Sequence, residues 1–240
     1  MNPILFAATV PLAFPFIMFA ALATGALLLR RSQQDLKLTR EQRTAVGIAA
    51  FCGAMLGAKA PFLLADWEGF LSGSAWFSDG KTILCGMVSA YFSVEFAKWA
   101  LEIRVKTGDS FAVPVAASVS IGRLACLAAG CCYGTPSTVP WAMQCATTDD
   151  LLRHPTQIYE SLFHASMALI CWRLRSQGIW KGQLVKLYII TYLGYRFATE
   201  FIRPEQHYLG GLTAYQWFAL AILPVFVWLW WKDASARQTG

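Results

Sequence analysis

The chain has 240 residues, of which 56% are hydrophobic and 14% charged, with a formal net charge of +6. Soluble domains average about 25% charged residues, so a water-soluble fold is excluded; an aromatic share of 14% with long apolar runs excludes intrinsic disorder. Seven cysteines scattered through apolar runs do not make the framework of a small secreted disulfide domain.

Seven stretches approach the roughly 20 apolar residues that cross a bilayer: 3–29, 45–65, 82–100, 110–134, 157–172, 184–202 and 214–231. The expected fold class is therefore all-α. The reading is a polytopic integral membrane protein of about seven transmembrane helices, forming a single transmembrane domain over residues 1–240. The first span has no basic residue before Arg30, so no cleaved signal peptide is expected. Arg30, Arg31, Lys37, Arg40 and Arg43 follow it. The second span carries Lys59 in its outer half, and the third carries Glu95 and Lys98 near its end, before Arg104 and Lys106. The fourth is interrupted by Gly122, Gly130 and Gly134 and holds Arg123 near its middle. The fifth is short and is followed by Arg173, Arg175 and Lys181. The sixth carries Lys186, Arg196 and Glu200, with Arg203 just beyond; Lys232 and Arg237 follow the seventh.

Basic residues collect on the cytoplasmic side of such proteins. Alternating spans place all the flanking clusters above on one side, leaving Lys81, Arg153 and Arg203 on the other. The N-terminus is then outside and the C-terminus cytoplasmic. The positive charge reads as a collar against anionic lipid, and nucleic acid is not an expected partner.

Ionisable groups at bilayer depth cost about 2.5–3.5 kcal/mol each on insertion scales and mark sites by default. Glu95 and Lys98, three apart, read as a local ion pair, and Lys186 reads as snorkelling to the cytoplasmic face. Arg123 has no evident partner and lies too deep to snorkel. Arg196 and Glu200, four apart, share a helix face. Two readings of this outer-half cluster stand: a site for an anionic headgroup, since guanidinium pairs bidentately with phosphate, and an interhelical ion pair that locks the bundle.

Two segments are more specific: Gly122-Arg123-Leu124-Ala125-Cys126-Leu127-Ala128-Ala129-Gly130-Cys131-Cys132-Tyr133-Gly134, and Arg153-His154-Pro155-Thr156-Gln157-Ile158-Tyr159-Glu160. The second reads as the start of a helix, with Pro in its first turn and Glu160 near the positive helix end. Together with Tyr195-Arg196, Glu200-Phe201, Arg203-Pro204-Glu205, Pro140-Trp141-Ala142-Met143, Leu212-Thr213 and Gln216-Trp217, they resemble the prolipoprotein diacylglyceryl transferase family over residues 80–220. The resemblance implies a seven-helix protein of the bacterial cytoplasmic (inner) membrane with its active site facing the outer leaflet. It implies transfer of a diacylglyceryl group from phosphatidylglycerol to the lipobox cysteine thiol of a prolipoprotein, with release of glycerol phosphate. Carried over residue by residue, it implies catalytic roles for Arg123, Arg196, Glu200 and His154. It implies substrate binding by Arg203, Tyr159, Glu160, Gln157, Gly134, Lys59 and Cys126. No cofactor is called for, and the spacing of His and Cys gives no metal site.

The chain departs from the family pattern at three places. The signature Asn and Glu fall at Cys126 and Cys131, a functional histidine of the third span is replaced within Leu84-Cys85-Gly86-Met87, and the loop between Trp141 and His154 is short. The partners expected are phosphatidylglycerol or another anionic phospholipid, surrounding membrane lipid, and a prolipoprotein or another extracytoplasmic acceptor. Alternatives are a paralogue that moves a glycerophosphate group to a glycan or lipid, and a non-catalytic phospholipid-binding bundle. Cys126, three residues after Arg123, reads either as a thiolate nucleophile or, with Cys131 and Cys132, as small packing residues of a glycine-rich helix. A disulfide between Cys131-Cys132 and Cys145 is a further reading at the oxidising outer side.

Overall fold

Apolar runs of this length have no water to hydrogen-bond their backbone, so each must satisfy its own amides and carbonyls, which a helix does. The computed structural model describes residues 3–34, 36–76, 80, 82–144 and 150–235. Eight α-helices lie among them: α1 (Pro3–Gln33), α2 (Arg40–Ala65), α3 (Trp67–Ser72), α4 (Ile83–Ala100), α5 (Gly108–Ala128), α6 (Thr156–Ser176), α7 (Leu184–Thr199) and α8 (Ala214–Ser235). Two short strands, β1 (Met143–Gln144) and β2 (Leu152–Arg153), pair antiparallel between α5 and α6. Lys81, Cys145 and Arg237 lie outside the described residues.

Among the described residues, four helices are long and apolar enough to cross a membrane: Ala13–Gln33, Arg40–Leu63, Gly108–Ala128 and Ala214–Ser235. Their large apolar side chains face outward, as Phe16, Phe19, Phe51, Leu56, Trp228 and Trp231 do, which suits a lipid solvent. At 16 residues α7 reaches only about 24 Å. Glu95 and Lys98 interrupt the apolar run of α4, and Glu160, His164, Arg173 and Arg175 that of α6.

Two boundaries differ from those expected. The fourth stretch stops being helical at Ala128 rather than running to 134, because Gly130 (φ 66°) and Cys132 (φ 60°) turn the chain back. Cys131 and Cys132 are therefore turn residues and not part of a glycine-rich helix. The fifth stretch is not short: α6 has 21 residues.

The contacts define two compact units, Asp35–Gly108 and Met1–Gln34 with Asp109–Gly240. The first is built on α2 against α4. A capping box opens α2, with Thr39 Oγ1 accepting from the Gln42 amide and Gln42 Oε1 from the Thr39 amide. Small residues then let the two backbones approach. A Cβ added at Gly57 would lie 2.3 Å from Ser89 Cβ and 2.7 Å from the Cys85 carbonyl. Gly57→Ala is accordingly expected to cost about 1–3 kcal/mol through overpacking, read as a lower unfolding temperature in detergent; unchanged unfolding would contradict the packing. Lys98 and Glu95 form the local pair expected, at 2.9 Å.

In the second unit, Ser118 Oγ on α5 donates to the Ala21 carbonyl of α1 at 2.9 Å. Ser120 and Ser161 join α5 to α6 reciprocally: each hydroxyl donates to the other's carbonyl, at 2.9 and 2.8 Å. Asp109 accepts from the amides of Gly182 and Leu184, tying the start of α7 to that of α5. Lys186 does not snorkel. It is buried, and its ammonium meets Asp233 at 2.6 Å and Gln183 Oε1 at 2.7 Å. A second capping box opens α8, where Thr213 Oγ1 accepts from the Gln216 amide and Gln216 Oε1 from the Thr213 amide.

Candidate active site

The Ser120–Ser161 contact sets the register of α5 against α6; Arg123 stands one turn after Ser120 on α5, and Glu160 directly precedes Ser161 on α6. Arg123 is not unpaired, as its own span suggests: its Nη2 lies 2.6 Å from Glu160 Oε2, and both residues are buried. Glu160 lies one turn inside α6, with its carboxylate turned inward rather than resting at the helix start. The Tyr192 hydroxyl of α7 donates to the other carboxylate oxygen. His164, one turn after Glu160 and fully buried, brings Nε2 to 3.8 Å from that oxygen, while its Nδ1 is 2.6 Å from the Tyr188 hydroxyl.

A second ion pair follows on α7. Arg196 Nη2 lies 3.0 Å from Glu200 Oε2, as their spacing of four requires. The guanidinium stacks 4.6 Å from the Tyr215 ring centroid, and Thr213 Oγ1 donates to Glu200 Oε1 at 3.1 Å. Arg203 completes the basic group: it donates from Nη1 to the Cys132 carbonyl at 3.4 Å and lies 3.6 Å from Glu205. The Nε atoms of Arg123 and Arg203 are buried and have no hydrogen-bond acceptor among the described residues. An anionic oxygen is one acceptor that satisfies buried donors of this kind.

The turn after α5 forms the rim of this cluster. Gly134 donates its amide to the His154 carbonyl at 2.9 Å, and Thr135 donates to Ile202 at 2.9 Å. A Cβ at Gly134 would meet His154 Cβ and the Ile202 carbonyl, each at 2.7 Å, so only glycine fits there. Gln157 Nε2 donates to the Cys131 carbonyl at 2.5 Å, and Thr156 Oγ1 to that of Cys132 at 2.6 Å. Tyr159 accepts from Trp141 Nε1 at 2.6 Å and lies 3.3 Å from His154 Nδ1. Arg153 donates to the Gly134 carbonyl at 3.3 Å and stacks on Tyr133.

Cys126 faces Arg123, with Nη1 at 3.7 Å from its sulfur. In the turn, hydrogen bonds from Cys126 and Cys131 hold the Cys132 thiol well below the ordinary thiol range, with Arg123 and Arg203 adding to the effect. The same contacts push Cys131 up. Cys126, Cys131 and Cys132 are free thiols.

Of the residues singled out in sequence, Arg123, Cys126, Gly134, His154, Gln157, Tyr159, Glu160, Arg196, Glu200 and Arg203 all belong to the second unit described above. Lys59 is buried on α2 and belongs to the other unit. Sequence reasoning missed His164, Tyr188 and Tyr192, and gave Thr213, though part of a motif, no role at the site. His164 was within reach of it, as an ionisable residue inside an apolar span and four after Glu160.

A sequence profile described as prolipoprotein diacylglyceryl transferase matches residues 4–232. Three proteins named phosphatidylglycerol–prolipoprotein diacylglyceryl transferase are similar to the chain. That of Methylobacillus flagellatus is 32% identical over 126 residues, covering 50% of this chain and 48% of the relative, so that this match spans about half of the relative's length. That of Erythrobacter litoralis is 30% identical over 190 residues, covering 72% and 67%. That of Clostridium tetani is 25% identical over 205 residues, covering 80% and 81%.

Proposed function

Because the chain belongs to the prolipoprotein diacylglyceryl transferase family, a family of transferases, we propose that it carries the diacylglyceryl group of phosphatidylglycerol to a thiol, the lipobox cysteine of a prolipoprotein. The observation that carries this reading is the two buried ion pairs, Arg123 with Glu160 and Arg196 with Glu200, with the buried Arg123 Nε unused by the described residues. In the reaction the acceptor sulfur forms a bond to the glycerol carbon that bears the phosphodiester oxygen. That carbon–oxygen bond breaks, and glycerol phosphate leaves with the electron pair. The thiol of ordinary pKa, about 8.5, must lose its proton; His154, at the rim beside Tyr159, is assigned that role. Arg123 and Arg196 stabilise the charge gathering on the departing phosphate, as fixed donors in a dry site do best. Glu160 and Glu200 hold those arginines, and Arg203, Gln157, Tyr159, Gly134 and Cys126 shape the surroundings of the headgroup.

In this reading seven helices, all but α3, cross the bacterial cytoplasmic membrane as one transmembrane domain. The N-terminus is outside, the C-terminus is cytoplasmic, and the site faces the outer leaflet. The support is the flanking Lys and Arg of the described loops.

The test uses purified protein with phosphatidylglycerol labelled in its headgroup and a lipobox peptide. Labelled glycerol phosphate is expected to appear only when the peptide thiol is free. Label appearing instead on a glycan or lipid acceptor would favour the paralogue that moves glycerophosphate. Lipid bound stoichiometrically without turnover would favour a binding protein.

A further inference from the structure

The turn after α5 gathers three cysteines that take no bond-making or bond-breaking part in the proposed transfer. The sulfurs of Cys126, Cys131 and Cys132 all lie within 4.8 Å of one another. Six residues of sequence would not by themselves converge three thiols; the reversal at Gly130 and Cys132 does so. A non-glycine residue at φ 60° is uncommon and costly, and where it persists the surroundings impose it. Here the imposing contacts are plain. The Cys131 amide donates to the Cys126 carbonyl at 3.1 Å, Gln157 holds the Cys131 carbonyl, and Thr156 and Arg203 hold that of Cys132.

The spacing suits a metal ion. Zinc–sulfur bonds of about 2.3 Å place tetrahedral sulfur ligands about 3.8 Å apart, so three sulfurs within 4.8 Å close on one ion with small movements. Charge favours it too. Three thiolates around a divalent ion leave one net negative charge, and Arg123, 3.7 Å from Cys126, and Arg203, at the Cys132 carbonyl, stand beside them. Cys131 is exposed, which gives an ion access.

We propose that Cys126, Cys131 and Cys132 bind one thiophilic divalent cation of the zinc class as three thiolates, with the fourth coordination position open. Binding releases the thiol protons and involves no electron transfer. Three protein ligands and one open position are the arrangement of reactive rather than purely structural zinc.

The test takes the full-length protein in detergent, reduced with a phosphine and freed of it. The protein is loaded with Zn(II), desalted over a weak chelator, and its zinc measured by elemental analysis. Loading with Co(II) reads thiolate charge-transfer absorption on the same sample. One equivalent of zinc per chain is expected. It should fall at least tenfold in the Cys126→Ser, Cys131→Ser, Cys132→Ser triple variant and stay in Cys52→Ser and Cys171→Ser. Cys131→Ser alone, changing an exposed side chain, should also weaken retention while leaving the elution profile intact. A triple variant that keeps its zinc, a reduced wild type that holds none, or thiols recovered as a disulfide that reduction does not convert to a metal-binding form would overturn the proposal.

Discussion

Arg123→Gln is expected to lower the rate of glycerol phosphate release by about 10²–10³-fold, the loss typical when one fixed donor to a developing anion is removed. The effect should fall on kcat and on kcat/KM alike, because the guanidinium acts chiefly on charge that appears as the phosphate departs. Neutralising Arg123 also leaves Glu160 buried without its ion-pair partner, so stability must be measured beside activity. The Arg123→Gln, Glu160→Gln double variant separates the two. It removes both charges, recovers most of the stability, and stays inactive. Recovery of turnover along with stability would show that the pair serves only to lock α5 to α6.

Glu160→Gln carries the second large effect. It leaves the buried guanidinium of Arg123 facing a neutral amide and removes the acceptor of the Tyr192 hydroxyl. Breaking one partner of a buried ion pair costs about 3–5 kcal/mol, and a protein of this size loses about 2–4 °C of unfolding temperature for each kcal/mol. A clear drop in thermal stability in detergent is therefore expected, larger than for Glu95→Gln, whose carboxylate is exposed in its pair with Lys98. Equal drops would mean that the Arg123–Glu160 pair is no better shielded from water than a surface pair.

Local spacing made part of this site legible in the sequence. Arg196 and Glu200 pair because helical geometry brings residues four apart together, and Glu95 with Lys98 follows the same rule at three. The scarcity of charge singled out Arg123, since a charge amid apolar residues is conspicuous whatever it contacts. Its partner was not legible. Which residue of α6 faces Arg123 depends on the register of two helices, fixed here by the Ser120–Ser161 hydrogen bonds, and small polar residues look unremarkable in a sequence. The pairing of Lys186 with Asp233 escaped for the same reason, being set by the packing of α7 against α8. The cysteine cluster escaped for another. Glycines at 122 and 130 look alike in an apolar run, yet the helix passes through Gly122 and ends before Gly130, where φ turns positive. That single difference takes Cys131 and Cys132 out of a helix and folds them back on Cys126.

In the proposed reaction this cluster of arginines and carboxylates moves a diacylglyceryl group onto sulfur. Mass spectrometry of a lipobox peptide incubated with the protein and phosphatidylglycerol tests it most directly. The peptide should gain one diacylglyceryl group as a thioether on its cysteine, and should gain nothing with the Arg123→Gln variant or when that cysteine is replaced by serine. An unmodified peptide beside phosphatidylglycerol whose headgroup has moved elsewhere would rule out thiol transfer by this protein.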